Sequence, residues 1–220
     1  MTTSGVITYD PFLADLLDDA WERIGQDPAK ISGRHLVSMR RSANLLMKEW
    51  QNRGVRQWAV ENPSNIAVVA GQAQYTLPTG TIDVLSMVLR RSGSDTEMYA
   101  ISKANYNSIV LKTQQGRPDR YMVDRQASQV VITLWQVPEN STDQLVYWRL
   151  RGLQINNASG NTLDMPDRFQ EAFCAGMAAK LAEKFNPAIY DTMRQRAEVA
   201  FSLAHVEDRE RVDVSMQVKY

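Results

Sequence analysis

The segment Gln144-Leu-Val-Tyr-Trp-Arg-Leu150 alternates polar and apolar side chains. Because successive side chains of a β-strand point to opposite faces, this pattern predicts a strand with one face buried. Such a strand needs partners, and the surrounding residues supply them. β-Branched and aromatic side chains, separated by frequent turn signals, are common from about residue 62 to residue 153. The middle of the chain is therefore predicted to form an all-β module.

Five further strands and a short helix are predicted within this module. The other strand candidates are residues 66–70, 73–77, 82–90, 121–124 and 129–135. The turn Pro138-Glu-Asn-Ser-Thr-Asp143 is expected to join the last two strands in a hairpin. Trp135 and Trp148 on those strands are expected to fill the core of the sheet, and Ser102 is expected to cap the short helix.

Helices are predicted on both sides of the β module. Apolar residues recur at helical spacing in residues 12–24 and 36–50, and again in residues 169–185 and 189–204. Gly176 lies among alanines, which favours close approach of a neighbouring helix. The predicted fold class is α+β: a four-helix module formed by the N- and C-terminal helices, with an inserted antiparallel β-sheet or sandwich module. The expected boundaries are 1–61 with 164–208 for the helical module, 62–163 for the β module, and 209–220 for an extended C-terminal tail.

The composition is that of an ordinary globular protein with no dominant charge. Of the 220 residues 44% are hydrophobic, and the 25 basic side chains balance the 25 acidic ones. A domain that binds duplex DNA normally carries a basic face, and this sequence does not indicate one. No apolar stretch is long enough for a transmembrane helix, and no signal peptide is apparent. We expect synthesis in the cytoplasm and no association with a membrane.

The residues that could carry chemistry are few and scattered. His35, His205 and Cys174 are too widely spaced to predict a zinc site, and Cys174, within an apolar helix, is interpreted as a small buried side chain. Neither a nucleophile elbow nor a glycine-rich phosphate loop is present. The pair Asp18-Asp19 is interpreted as a solvated helix face rather than as the acids of a glycosidase. We therefore predict no catalytic residue, no metal and no cofactor.

Trp58 and its neighbour Arg56 are the residues outside the periodic segments with a potential binding role. Both lie in the turn that follows the second predicted helix. One interpretation is that Trp58 caps the junction between the two modules. The other is that it contacts a partner protein, because exposed tryptophan is over-represented at interfaces.

Short motifs in the middle of the chain follow a characteristic order. They are Gly71-Gln-Ala-Gln-Tyr-Thr-Leu-Pro78, Ile82-Asp-Val-Leu-Ser-Met-Val-Leu-Arg90, Ile101-Ser-Lys-Ala-Asn-Tyr106, Gln115-Gly-Arg-Pro118, Tyr121-Met-Val-Asp-Arg125, Val131-Ile-Thr-Leu-Trp-Gln-Val-Pro138 and Leu145-Val-Tyr-Trp-Arg-Leu150. This succession resembles the head-to-tail adaptor proteins of short-tailed bacteriophages, the group that includes tail tubular protein A and the packaged-DNA-stabilising adaptor. Each motif is also accounted for by strand and turn structure, and none is a catalytic signature.

The resemblance implies a structural virion protein in the neck of the phage. Members of that family form a homo-oligomeric ring, commonly a dodecamer, beneath the portal protein. The ring extends the DNA channel and offers a platform for the tail nozzle or the tail fibres. The helical module forms the ring, and the C-terminal segment reaches into the portal. A chain without net charge suits a channel through which DNA passes without sequence-specific binding.

The predicted tail has its own pattern. Apolar residues alternate with polar ones, so an extended tail would present one apolar face to a partner strand or groove. The portal-interaction candidates are Arg209, Arg211, Val212, Val214, Met216, Val218 and Tyr220. The alternative interpretation is a frayed chain terminus.

Three other functions compete with the adaptor prediction. The first is another connector or neck ring protein of a virion, which would keep the ring but not the portal-binding tail. The second is a virion-associated cell-wall hydrolase, which requires a pair of carboxylates in a cleft. The third is a nucleic-acid-binding regulator, which the neutral charge argues against.

Overall fold

The computed structural model describes Gly5, residues 9–54 and residues 57–208. Within these residues the chain forms two compact units. The first contains the residues up to Trp58 together with those from Leu153 onwards, and the second runs from Ala59 to Gly152. The segment of residues 59–152 is therefore inserted between the two halves of the first unit.

The first unit is helical. Its helices are α1 (Leu13–Arg23), α2 (Gly33–Asn52), α4 (Gln170–Phe185) and α5 (Tyr190–Glu207), while the short α3 (Lys103–Ser108) belongs to the second unit. Ser32 begins α2 with its Oγ accepting a hydrogen bond from the backbone N–H of His35 at 3.4 Å. The Asn186-Pro187 pair separates α4 from α5, because proline cannot continue the hydrogen-bond pattern of a helix.

Helix α4 is the centre of the helical unit, because it contacts α1, α2 and α5. Its side chains are buried on nearly every face, as expected for a helix with neighbours on several sides. Trp50 of α2 packs against Phe173 of α4 and Phe201 of α5, with ring centroids 6.3 Å and 5.4 Å apart. The N- and C-terminal helices therefore share one hydrophobic core.

The segment that follows Gly152 is attached to the helices. Lys48 Nζ donates to the carbonyl of Leu153 at 3.0 Å, and Asn44 Nδ2 donates to the carbonyl of Asn156 at 3.0 Å. The backbone N–H of Leu13, at the start of α1, donates to Asn161 O at 2.9 Å. These bonds explain why the residues from Leu153 to the start of α4 belong to the helical unit, whereas residues 153–163 were predicted to be part of the β module.

The second unit contains all eleven strands that the structure describes. They are β1 (Val60–Glu61), β2 (Ile66–Ala67), β3 (Gln74–Thr76), β4 (Thr81–Arg91), β5 (Ser94–Glu97), β6 (Tyr99–Ile101), β7 (Gln115–Gly116), β8 (Arg120–Arg125), β9 (Val130–Trp135), β10 (Val137–Pro138) and β11 (Gln144–Arg151). One sheet has the order β1-β11-β4-β5, with β2 also paired to β11, and is antiparallel throughout. The other has the order β3-β9-β8-β6, in which only the β6–β8 pair is parallel. A small parallel pair, β7 with β10, completes the unit.

The core of the β unit receives side chains from both larger sheets. Tyr121 of β8 and Ile132 of β9 come from one sheet, and Leu89 of β4 and Leu145 of β11 come from the other; all four are almost completely buried. Two sheets that share their apolar faces in this way form a sandwich. The predicted fold class, α+β with packed terminal helices and inserted antiparallel sheets, is confirmed.

The predicted hairpin of the last two long strands is wrong. Strand β9 pairs with β3 and β8, whereas β11 pairs with β1, β2 and β4 in the other sheet. After Trp135 the chain forms β10, which pairs with β7. The chain therefore does not turn back to pair with β9. The Pro138–Asp143 segment therefore crosses from one sheet to the other, and Arg91 holds the buried carboxylate of Asp143 by two hydrogen bonds of 2.8 Å.

The expectation that Trp135 and Trp148 fill the core is also wrong. The side chain of Trp148 is on the outward face of β11 and is 49% exposed. Trp135 is half-buried; its Nε1 donates to Leu111 O at 3.2 Å, and the guanidinium of Arg120 lies over its ring. Smaller residues of the same strands, Leu134 and Leu145, occupy the core positions instead.

Candidate assembly surface

Helix α5 has two apolar faces. One face carries Met193, Phe201 and Ala204, which are buried. The other carries Val199, Leu203 and Val206, which are 59%, 68% and 57% exposed. Their spacing of four and three residues places these three side chains in one stripe along the helix. A second apolar stripe that no other part of the described chain covers is typical of a surface that binds a partner.

The exposed stripe borders a groove between α4 and α5. The groove has a volume of about 800 Å³. Its floor consists of small or apolar side chains, and its outer wall includes the exposed Val199 and Leu203. The floor residues are Ala172, Ala175, Ala178, Met193, Ala200 and Ala204. The alanines of α4 that line the groove are at most 5% exposed, so the accessible apolar surface of the groove comes mainly from Val199 and Leu203 at its edge.

Charged residues line the rim of the groove. Arg23 of α1 forms two hydrogen bonds of 2.7 Å with the carboxylate of Glu171, and its Nε lies 2.8 Å from Asp19. The hydrogen bond from Arg23 lowers the pKa of Glu171, and the same bond raises the pKa of Arg23. Arg196 of α5 also lines the groove and is exposed, and no described residue forms an ion pair with it.

One end of the groove is fixed by Arg168 and Asp208. Arg168, which lines the groove, donates from Nη2 to Asp208 Oδ1 at 2.6 Å. The backbone N–H of Gln57 donates to the other carboxylate oxygen of Asp208 at 3.4 Å. The Asp208 side chain is only 1% exposed. The point at which the chain leaves α5 is therefore anchored beside the groove.

Trp58 belongs to the helical unit. Its Nε1 donates to the backbone carbonyl of Asp164 at 2.9 Å, and its ring centroid lies 4.9 Å from that of Phe169. The side chain is half-buried by these contacts. Arg56, the other residue of this predicted contact, lies outside the described residues. So do the portal-interaction candidates, Arg209, Arg211, Val212, Val214, Met216, Val218 and Tyr220.

His35, Cys174 and Asp19, the residues considered for metal binding or catalysis, are engaged in packing or in an ion pair. His35 packs between Trp21 and Phe185, with ring centroids 5.1 Å and 5.3 Å away. Cys174 is buried as predicted, its Sγ lies 3.8 Å from Leu16 O, and burial raises the pKa of its thiol. Asp19 is engaged by Arg23. Among the described residues no group of three His, Cys, Asp or Glu side chains is arranged to hold a metal ion.

The β unit exposes a separate group of apolar side chains. Tyr99 of β6 is 61% exposed, and Val110 and Leu111, which follow α3, are 92% and 63% exposed. Beside Val110 and Leu111, Lys112 Nζ donates to the carbonyls of Asn107 and Ile109 at 3.2 Å and 3.1 Å. Each of these exposed side chains is available for contact with another protein.

The α4–α5 groove and the Asp208 anchor were not predicted from the sequence. The signal for the groove was present in the i, i+4, i+7 spacing of Val199, Leu203 and Val206 on a helix that already had one apolar stripe. Nothing in the sequence around Asp208 indicated burial, because its partners are distant along the chain: Gln57 and Arg168.

The chain matches a known protein family. The family model described as the SU10 adaptor protein matches residues 10–218, which is nearly the whole chain. No curated protein sequence matches it. Within the part of the chain that the structure describes, no helix is both long and apolar enough to span a membrane. The match includes both helical segments and the whole inserted β unit, so this chain belongs to the SU10 adaptor protein family, a family of phage head-to-tail adaptors.

Proposed function

We propose that this chain is the ring-forming subunit of a phage neck. Copies of it assemble below the portal protein into a homo-oligomeric ring, which extends the DNA channel and carries the tail. The role is structural and non-enzymatic. Membership of the adaptor family supports the general role, and the observation that supports ring formation is the uncovered apolar groove along α4 and α5.

A closed ring requires contact between two different surfaces of adjacent copies. The groove supplies one of these surfaces, because Val199 and Leu203 stand at its edge above a floor of alanines. The rigid core around α4 supports this surface, so the groove does not need to fold when it meets a neighbour. A stable contact of this kind buries roughly 1,200–2,000 Å² in total.

The C-terminal tail and the β unit bind the other proteins of the neck. The tail of residues 209–220 binds the portal through its alternating apolar side chains. The exposed Tyr99, Val110 and Leu111 of the β unit provide the attachment surface for the tail nozzle or fibres. Equal numbers of basic and acidic residues allow DNA to pass without strong electrostatic retention.

The proposal is tested by mixing the purified chain with the portal of its phage and measuring mass by native mass spectrometry. We expect the free subunit to join the portal as a ring of defined stoichiometry. Leu203→Glu places a charge in the apolar groove and is expected to abolish or greatly reduce ring formation. Ser202→Glu is the matched control, because Ser202 is an exposed neighbour on α5 that does not line the groove.

Two results would contradict the proposal. If the wild-type chain never forms a portal-bound assembly, it is not a portal adaptor, and another virion connector becomes the better assignment. If Leu203→Glu and Ser202→Glu assemble equally well, the ring forms through a surface other than the groove. Far-UV circular dichroism spectra of both variants that match the wild type would show that a defect in assembly is not caused by loss of the fold.

A further inference from the structure

The exposed face of helix α2 is both basic and apolar. Its side chains recur at spacings of three and four residues, so they lie in one stripe along the helix: Arg34, Val37, Arg41, Leu45 and Lys48. All five are exposed, and the two apolar ones, Val37 and Leu45, are 49% and 59% exposed. No acidic residue lies within this basic stripe.

The charges of the basic stripe are not neutralised within the described part of the chain. The side chains of Arg34 and Arg41 form no ion pair or hydrogen bond there. Lys48 donates only to uncharged oxygens, those of the Gln51 side chain at 3.3 Å and the Leu153 carbonyl at 3.0 Å. Arginine is over-represented at protein interfaces, and apolar side chains between arginines suit contact with a protein better than contact with a phosphate backbone.

Helix α1 carries an exposed stripe of the opposite charge. Asp15, Asp18 and Glu22 follow one another at spacings of three and four residues, on the face opposite the buried side chains of α1. The Asp15 carboxylate accepts a hydrogen bond from the Phe12 N–H at 3.2 Å, but none of the three acids forms an ion pair with a residue that the structure describes. Burial and the charge of Asp15 raise the pKa of Asp18. The repulsion within this acidic stripe is therefore left uncompensated.

The two stripes match in length as well as in charge. Asp15 and Glu22 are seven residues apart, and so are Arg34 and Arg41; seven residues correspond to roughly 10 Å along a helix. Both stripes point away from the shared core of the helical unit, so they meet only when two copies of the chain come together. A contact between two different surfaces is the kind that repeats around a closed ring.

We propose that the basic stripe on α2 of one copy binds the acidic stripe on α1 of the next copy in the ring. The inference rests on the proposed function, which requires two different surfaces on each subunit and assigns only the groove. Helix α1 flanks the groove, because Arg23 lines it. The acidic stripe and the groove therefore belong to one side of the contact, and α2 with Val37 and Leu45 belongs to the other.

The stripes determine the direction in which copies join. An exposed charge pair adds little affinity, but like charges brought face to face exclude wrong arrangements. Contact of α1 with α1, or of α2 with α2, would give a two-fold dimer instead of a ring, and each stripe repels its own kind. Only the α1–α2 contact joins opposite charges.

The test reverses the charge of each stripe separately. Asp18→Lys with Glu22→Lys makes both stripes basic, and Arg34→Glu with Arg41→Glu leaves acidic side chains at the facing positions of both stripes. Neither chain alone should form the portal-bound ring in native mass spectrometry, or each should need at least roughly tenfold more protein, because like charges face each other at every contact. A 1:1 mixture should assemble with equal numbers of the two chains, since every contact then joins opposite charges.

Glu97→Lys with Glu183→Lys is the matched control. It makes the same change in net charge at exposed residues outside both helices, neither of which has an ion pair among the described residues. This chain should assemble like the wild type and should not restore assembly of the Arg34→Glu, Arg41→Glu chain. Far-UV circular dichroism spectra that match the wild type show that each variant is folded.

Two outcomes would overturn the inference while the wild-type chain still forms its ring. One is assembly of either reversed chain as readily as the wild type, and the other is a mixture that does not assemble. If the Arg34→Glu, Arg41→Glu chain assembles normally but holds packaged DNA differently, α2 faces the DNA channel and not a neighbouring copy.

Association of the free chains separates this inference from the proposed function. At low ionic strength and high protein concentration, sedimentation velocity should detect association of the wild-type chain and of the 1:1 mixture, but not of either reversed chain alone. If this pattern is seen and no chain binds the portal, the proposed function fails and the α1–α2 contact stands. If the pattern is absent and wild-type rings still form on the portal, the contact fails and the proposed function stands.

Discussion

Leu46 of α2 lies directly against the backbone of Gly176 on α4. A Cβ atom placed on Gly176 would be 2.9 Å from Cδ2 of Leu46, which is closer than packed carbon atoms approach. Both residues are buried where α2 and α4 pack together. The alanines around Gly176 in the sequence predicted close approach of a helix at this glycine, and the structure confirms it.

Gly176→Ala should therefore destabilise the helical unit. Alanine favours the helix by about 1 kcal/mol relative to glycine, but overpacking of a filled core costs about 1–3 kcal/mol. We expect a net loss of about 1 kcal/mol in the free energy of unfolding, measured by urea denaturation. In the double variant Gly176→Ala, Leu46→Ala, the added methyl group should be tolerated, so the two single effects should not add.

Gly33→Ala provides the control for this prediction. Gly33 begins α2, and a Cβ atom placed on it would have no neighbour within 4 Å. This substitution should leave stability unchanged or raise it slightly. Equal effects of the two glycine substitutions would contradict the importance of the Leu46 contact.

The helices and the longer strands could be predicted from periodicity, because their burial follows the sequence pattern. Strand β5 could not, since all four of its side chains are exposed and polar. It forms because Ser92 and Gly93 adopt positive φ values of 50° and 83° in a two-residue hairpin turn after β4. The Ser-Gly pair was a turn signal that could have indicated this hairpin.

The α4–α5 groove was harder to predict than the helices, because it depends on which helix faces are not covered by neighbouring helices. The spacing of apolar residues on α5 shows two faces, but only the packing of α4 reveals that the face with Met193 and Phe201 is buried. The pairing of Arg168 with Asp208 joins residues 40 positions apart, and no local pattern indicates it. Local periodicity therefore predicts elements more reliably than it predicts the surfaces that they leave exposed.

Removal of the hydroxyl group should change the stability of the protein differently at Tyr75 and Tyr147, two tyrosines in the core of the β unit. Tyr75 Oη accepts a hydrogen bond from the Val69 N–H at 2.9 Å and donates to the carbonyl of Gln72 at 3.0 Å. The hydroxyl of Tyr147 is buried and has no hydrogen-bond partner among the described residues. Burial raises the pKa of Tyr147.

Tyr75→Phe is expected to lower the free energy of unfolding by about 1–2 kcal/mol, because backbone groups lose their partner. Tyr147→Phe should be neutral or stabilising, because it removes a buried polar group that is unpaired in the core. Thermal denaturation of the two variants provides the comparison, and the identical chemical change makes each the control for the other. A greater loss for Tyr147→Phe would contradict the hydrogen-bond assignment.

Cys174 should be unreactive in the folded protein. Burial raises the pKa of its thiol, so little of the reactive thiolate forms at neutral pH, and the side chain is 4% exposed. We expect alkylation at least roughly 100-fold slower than that of an exposed cysteine, because reaction requires local opening of the structure. In a urea concentration that unfolds the chain, Cys174 and an exposed cysteine should be alkylated at the same rate.

The control for this prediction is Ser128→Cys in a chain with Cys174→Ala. Ser128 is exposed in the turn between β8 and β9. Mass spectrometry after a short treatment with iodoacetamide measures both rates. Rapid labelling of Cys174 in the folded chain would show that α1 and α4 separate readily.

The ion pair between Arg23 and Glu171 should make stability depend on pH. The hydrogen bond from Arg23 lowers the pKa of Glu171 in the folded state. Its stabilising contribution is therefore complete above the pKa of the unfolded chain, about 4.3, and is lost as the pH falls through the lower folded value. Because the Glu171 side chain is 69% exposed, the contribution is at most about 1 kcal/mol.

We expect Glu171→Gln to lower the free energy of unfolding at neutral pH and to reduce its further decrease in acid. Urea denaturation at several pH values measures this effect. Glu22→Gln is the control, because Glu22 is an exposed residue of α1 with no described ion pair. Parallel acid profiles of the wild-type chain and Glu171→Gln would contradict the predicted contribution.

Substitution of Trp58 can distinguish its two proposed roles, an internal structural contact and a contact with a partner protein. Its indole N–H is already used by the Asp164 carbonyl, and its ring packs on Phe169, so its main contacts are within the helical unit. Trp58→Phe keeps an aromatic ring but removes the hydrogen bond, which should cost about 1 kcal/mol of stability. If these internal contacts are its whole role, assembly with the portal should be unchanged at temperatures where the variant is folded. If assembly fails while the fold and stability remain near wild type, Trp58 contacts a partner, because only an intermolecular contact separates the two measurements in that way.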